Sequence, residues 1–152
     1  MMFNDLGHIT FKIILTVLLS SLIGVEREIR HKGADLRTHI LVGVSSALVS
    51  LTSIYLFDIY KSQTPSIDPT RMIAGIITGI GFLCAGTIMR GESDVKGLTT
   101  AAALWVVSGI GIAVGVGYYS AAILVTLITF IVLIFMRSIE RFLSDKFKNF
   151  NS

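Results

Sequence analysis

The sequence predicts an all-α membrane protein of five transmembrane helices: two hairpins plus a peripheral fifth helix. The N-terminus lies outside, and the C-terminus is cytoplasmic with a short amphipathic helix. Three observations carry this. Of 152 residues, 53% are hydrophobic and 15% charged, more apolar side chain than a soluble domain of this size can bury. The apolar residues fall in runs near the ~20 that a bilayer demands, with charges held between the runs. Finally, the basic residues are unevenly shared: four in Glu26–Arg37, two in Arg90–Gly97 and four after Met136, ten of the thirteen Lys and Arg. Lys12, Lys61 and Arg71 fall on the other side, so the basic-rich side is cytoplasmic.

The length suits one transmembrane domain, residues 1–137, followed by a basic amphipathic cytoplasmic tail, 138–152. Its helices are expected at about 9–25, 38–57, 72–89, 98–117 and 118–136. In the first, Thr16, Ser20, Gly24 and Arg27 share a stripe about 80° wide, and Lys12 sits near one end, able to snorkel. Glu26–Arg37 reads as a charged loop. In the second, His39, Gly43, Ser46, Ser50 and Ser53 share a face, and Tyr55, Phe57 and Tyr60 form an aromatic belt at the far end. Asp68-Pro69-Thr70-Arg71 reads as a helix start with Asp68 as N-cap and Pro69 at the first helical position. Gly75, Gly79 and Gly86 then lie within an arc of about 40°, and Gly75-x-x-x-Gly79 admits a neighbouring backbone. The fourth helix sets Thr100, Ala101, Ser108, Gly111 and Gly115 on one side. The fifth is mostly Ile, Leu, Val and Phe, with a sparse Ala122, Thr126, Thr129 stripe. After Met136, Ile139, Phe142, Leu143, Phe147 and Phe150 line one side of a helix expected to lie on the membrane surface.

An ungapped shift of 62 residues aligns Gly24 with Gly86, Thr38 with Thr100 and Ser46 with Ser108, a parallel internal repeat. It predicts that Gly24 and Gly86 meet.

The region around the third and fourth helices resembles the MgtC/SapB family of bacterial inner-membrane proteins. The matching pieces are Asp68 and Arg71, Gly79-Ile80-Gly81-Phe82-Leu83-Cys84-Ala85-Gly86, and Gly97-Leu98-Thr99-Thr100-Ala101-Ala102 with Trp105. Gly24-Val25-Glu26-Arg27 and Leu36-Arg37-Thr38-His39 match upstream. Together they span about residues 20–115. The resemblance implies growth under Mg²⁺ limitation, survival of some pathogens inside host cells (virulence), and restraint of the membrane ATP synthase. The chain departs from the family pattern at Cys84 and Asp35, where Gly is usual, and ends without the soluble C-terminal domain of many relatives.

Intramembrane charge marks function by default, yet residues 13–25, 39–57, 72–89 and 98–136 hold no Asp, Glu, Lys or Arg. Bare Mg²⁺ wants oxygen ligands, usually carboxylates with waters, so no metal ligand set is expected at mid-depth and any Mg²⁺ would be hydrated, at a mouth. Charge gathers instead at two mouths. The cytoplasmic one holds Glu26, Arg27, Arg37, His39 and Arg90, with Thr99 and Thr100 opening a helix whose free N–H groups suit an anion. Those residues serve either a ligand or partner, or simply helix caps and ion pairs. The outer mouth holds Asp68 and Arg71. Gly24, Gly75, Gly79, Gly81, Gly86, Gly111, Gly115 and Trp105 are expected in helix packing, so that Gly79→Leu should lower protein level. No nucleophile–base pair or phosphate loop supports catalysis, and no resident cofactor is expected. The lone Cys84 excludes an internal disulfide, and a net charge of +3 is too modest for nucleic acid. The expected partners are the lipid bilayer, a membrane ATPase or ATP synthase subunit, and a second copy in a homodimer if the glycine stripe is exposed. The expected role is regulation of another membrane complex; the alternative is a transporter or channel for Mg²⁺ or another small solute.

Overall fold

The computed structural model describes residues 6–30, 33–64, 66–91 and 94–148, with the backbone alone for 137–148. Five helices are long and apolar enough to cross a membrane: α1 (Leu6–Ile29), α2 (Leu36–Tyr60), α3 (Thr70–Thr87), α4 (Leu98–Val116) and α5 (Tyr119–Lys148). A short antiparallel ladder, β1 (Met89–Arg90) with β2 (Val95–Lys96), joins α3 to α4 and pairs Met89 with Lys96.

Helix α4 is the hub. Its buried residues Thr100, Leu104, Val107, Ser108, Ile110, Gly111 and Gly115 leave little of its circumference bare. It packs most extensively against α2, and α1 lies along both. Glycine makes this possible. A methyl on Gly111 would stand 2.2 Å from the Gly43 carbonyl oxygen, and one on Gly43 would stand 2.1 Å from Ser20 Oγ. A methyl on Gly115 would lie 2.7 Å from Ser50 Cβ. Backbones that close exclude any larger residue, the membrane form of helix contact. Ser46 and Ser108 share a hydrogen bond of 2.9 Å across the α2/α4 contact, while Thr16, Ser50 and Thr126 return their hydroxyls to carbonyls one turn back. The small polar stripes of α1, α2 and α4 thus face one another. Helix α5 lies against α4 and α1 at the edge, burying Ala122 and Thr126.

Several expectations need correction. Helix α1 continues past Val25 to Ile29, so Glu26 and Arg27 belong to its last turn and the connection to α2 is short. Helix α3 has Pro69, not Asp68, as N-cap; Asp68 instead accepts from the Thr70 N–H and hydroxyl at 2.8 and 2.7 Å, a turn one residue earlier. Lys12 does not snorkel: it is buried and donates to the Gly115 carbonyl at 2.8 Å, near the C-terminus of α4, where a cation complements the helix dipole. Trp105 is exposed.

The largest correction concerns α3. Nothing lies within 4 Å of a methyl built on Gly75, Gly79, Gly81 or Gly86, and Ile80 is the one buried residue of the helix. Its glycine stripe is therefore uncovered, running along the edge of α3 with Phe82 84% exposed beside it. Gly24, by contrast, meets Leu36 and His39 of α2. Gly24 and Gly86 therefore do not meet, although Ser46 and Ser108, 62 residues apart, do.

Beyond Met136 the backbone of α5 runs on without interruption to Lys148. The side chains that would make the tail amphipathic lie outside the described residues, as do His31, Lys32, Pro65 and Glu92.

Candidate functional site

At the end of the bundle that carries the α1–α2 and α3–α4 connections, α1 buries two charged residues just before its exposed final residues. Glu26 and Arg27 are each about 4% exposed and pair with one another; Arg30 Nε adds a second bond to Glu26 at 2.7 Å. One carboxylate thus carries two guanidinium groups, which keeps a buried ionised acid satisfied on both oxygens. Gly24, one turn earlier, lets the first turn of α2 come close: a methyl there would stand 3.0 Å from Leu36 and 3.2 Å from His39 Cβ.

The start of α2 is capped twice. Asp35 accepts from the Thr38 N–H at 2.9 Å and its hydroxyl at 2.7 Å, and Glu28 accepts from the Leu36 N–H at 3.1 Å. These Thr38 hydrogen bonds hold the Asp35 carboxyl below the usual carboxylate range. His39 is fully buried, its Nδ1 2.8 Å from the Asp35 carbonyl oxygen. Its Nε2, like Ser20 Oγ one turn along the same α1/α2 contact, is buried with no hydrogen-bond partner among the described residues.

The structure therefore brings Glu26, Arg27 and His39 together and leaves others apart. Arg37, Arg90 and Thr99 are exposed, and among the described residues no ion pair ties either arginine to the buried cluster. Thr100 is buried in the first turn of α4. That helix begins at Gly97, whose φ of 89° and contact with the Thr87 carbonyl, 1.9 Å from a would-be methyl, require glycine. At the other end Asp68 and Arg71 are exposed, and the Thr70 hydrogen bonds hold the Asp68 carboxyl low. Ser53 donates to the Pro69 carbonyl, tying α2 to the start of α3.

Sequence reasoning missed Arg30, Glu28 and the inward turn of Lys12. Arg30 stands four residues after Glu26, the spacing of a helical ion pair. Lys12 stands four before Thr16, on the same stripe. The groove between α2, α3 and α4 also went unseen. It encloses about 440 Å³, with Thr38, Ser45, Ser46 and Ser108 facing Gly79 and Leu83. Its donors are hydroxyls, and Ser46 and Ser108 already bond one another; such a set does not fit bare Mg²⁺, which takes carboxylates and waters in a near-octahedral shell.

Residues 13–142 match the MgtC family. The chain is 42% identical over 123 residues to YhiD of Escherichia coli K12, named as a candidate magnesium transporter; the match covers 80% of this chain and 57% of YhiD. It is 40% identical over 116 residues to SapB of Bacillus subtilis, covering 75% of this chain and 50% of SapB. With MgtC of Salmonella typhimurium LT2 it shares 41% over 116 residues, covering 76% of this chain and 47% of MgtC. The chain spans about half the length of the curated relatives it matches. No solved structure matches it.

Proposed function

The chain belongs to the MgtC family, and from that membership we propose that it serves magnesium homeostasis in the bacterial inner membrane by regulating another membrane complex, such as the ATP synthase, without chemistry of its own. One observation carries this reading: among the described residues nothing stands within 4 Å of a methyl built on Gly75, Gly79 or Gly86, which share one stripe of α3. In a bilayer, helices associate through close packing at small residues, not through hydrophobicity. A helix that sets Gly75, Gly79 and Gly86 along one open stripe is shaped to receive another helix. The closed α1/α2/α4 seam supports the same reading, since backbones in contact at Gly43 and Gly111 leave no passage for an ion between them.

The test is recovery of the tagged protein from native membranes of Mg²⁺-starved cells. Wild type should bring a defined partner subunit with it. Gly79→Leu should be equally abundant and lose that partner, because nothing among the described residues lies within 4 Å of a methyl at that position and the groove beside it has room for a larger side chain. Recovery alone, in mild detergent, would overturn the proposal.

A second reading, transport of Mg²⁺ or another small solute, draws on the mostly apolar groove whose few hydroxyls include the Ser46–Ser108 pair. Purified protein in liposomes would then move the ion, and Ser108→Val would slow it. Liposomes that hold an imposed Mg²⁺ gradient would remove this reading.

A further inference from the structure

His39 has a partner on one side of its ring and, among the described residues, none on the other. The group facing Nδ1 is a backbone carbonyl, the Asp35 oxygen at 2.8 Å, which can only accept. Nδ1 therefore carries the proton, and in the neutral ring Nε2 is a bare lone pair. That lone pair is buried with no donor on it among the described residues.

The charges within electrostatic reach of the ring come from both helices that enclose it: Glu26 and Arg27 from α1, and Asp35 from the start of α2. Arg30 joins them through Glu26. Helix α4 contributes no titratable side chain (98–116), and Arg37, Arg90, Asp94 and Lys96 are exposed. Glu26 already holds two guanidinium groups, and Asp35 already caps α2 through Thr38. A proton on Nε2 would place a third cation around one carboxylate and give it nothing to bond.

We infer that His39, with Glu26, Arg27 and Arg30, is a pH-operated latch between α1 and α2. With the ring neutral, the first turn of α2 seats on Gly24 and the latch is closed. With the ring charged, the imidazolium draws Glu26 from its arginines or Asp35 from its cap. Either exchange undoes the Asp35 cap or the Glu26–Arg30 pair and lifts the start of α2 off α1. Acidification on the side where this end lies therefore opens the connection, and return to neutral pH recloses it. This regulation stands on the buried cluster and does not depend on what α3 binds.

The full chain in lipid nanodiscs tests it. Amide exchange over residues 33–39, corrected for the intrinsic pH dependence of exchange, should show more opening at pH 5 than at pH 7.5, with a slope of up to about tenfold per pH unit for one linked proton. The ¹⁵N signals of the His39 imidazole should pass from the Nδ1–H form to the charged ring over the same interval. His39→Gln should abolish the pH dependence. Exchange equal at both pH values, the same pH dependence in His39→Gln, or a wild-type ring that stays neutral throughout would each overturn the latch. If His39→Gln does not fold, coincidence of the wild-type ring titration with the exchange profile decides alone.

Discussion

At the scale of single residues, the seam is governed by what glycine leaves out. Gly111 and Gly109 are two residues apart on α4. A methyl on Gly111 would strike the Gly43 carbonyl, whereas one on Gly109 would meet nothing within 4 Å. Gly111→Ala should therefore destabilise by about 1–3 kcal/mol, the ordinary cost of overpacking. Gly109→Ala should be neutral or stabilising by about 0.5–1 kcal/mol, as for alanine over glycine in a helix interior; thermal unfolding in one detergent separates the two. Glu26 obeys the opposite logic, since it is missed only when gone. Glu26→Ala strands a 4%-exposed Arg27 without its counter-charge, a loss of about 3–5 kcal/mol readable as lowered abundance. The sequence put Glu26 and Arg27 at a mouth, and the end of the bundle is where they are. It did not tell that they are buried, because a charged residue after an apolar run looks alike whether the helix stops there or runs on one more turn.

Helix ends were partly legible for a related reason. Asp35-Leu-Arg-Thr38 makes a good cap, yet the chain was read as a loop until Thr38, since Arg37 broke the apolar run. The cap has a pH signature. The Asp35 carboxyl is held below its ordinary value when folded, so its support for α2 is complete at neutral pH and is lost as pH falls through that lowered value. The melting difference between wild type and Asp35→Ala should then be constant from pH 7 to 5 and shrink below about pH 4. A difference that grows on acidification would contradict the assignment. Helix α3 is legible as a helix but its neighbour is not: glycines at helical spacing announce close packing but not whether the neighbour is in the same chain. For that reason Gly79→Leu, which from sequence should lower protein level, should from the structure leave it unchanged.

For the whole molecule, α1, α2 and α4 form a sealed unit, with α3 leaning on α4 and α5 on α4 and α1. The basic excess near the α1–α2 and α3–α4 connections predicts that this end is cytoplasmic. Cysteines placed at Arg90 and Tyr118, on a Cys84→Ala background, should label from the cytoplasmic and outer faces respectively; the reverse pattern would invert the orientation. The sequence by itself determined that the chain lives in a bilayer, how many times it crosses, and which family it joins. Those properties are written in run length, composition and local motifs, each readable without knowing any neighbour. Only the tertiary structure decided which small-residue stripes close on one another and which stays open. Every stripe is sterically fit to pack, and the choice among them is made by helices meeting in space. The same holds for the His39 nitrogen that has no partner among the described residues: whether a side chain is paired depends on its surroundings, and those come from two helices at once.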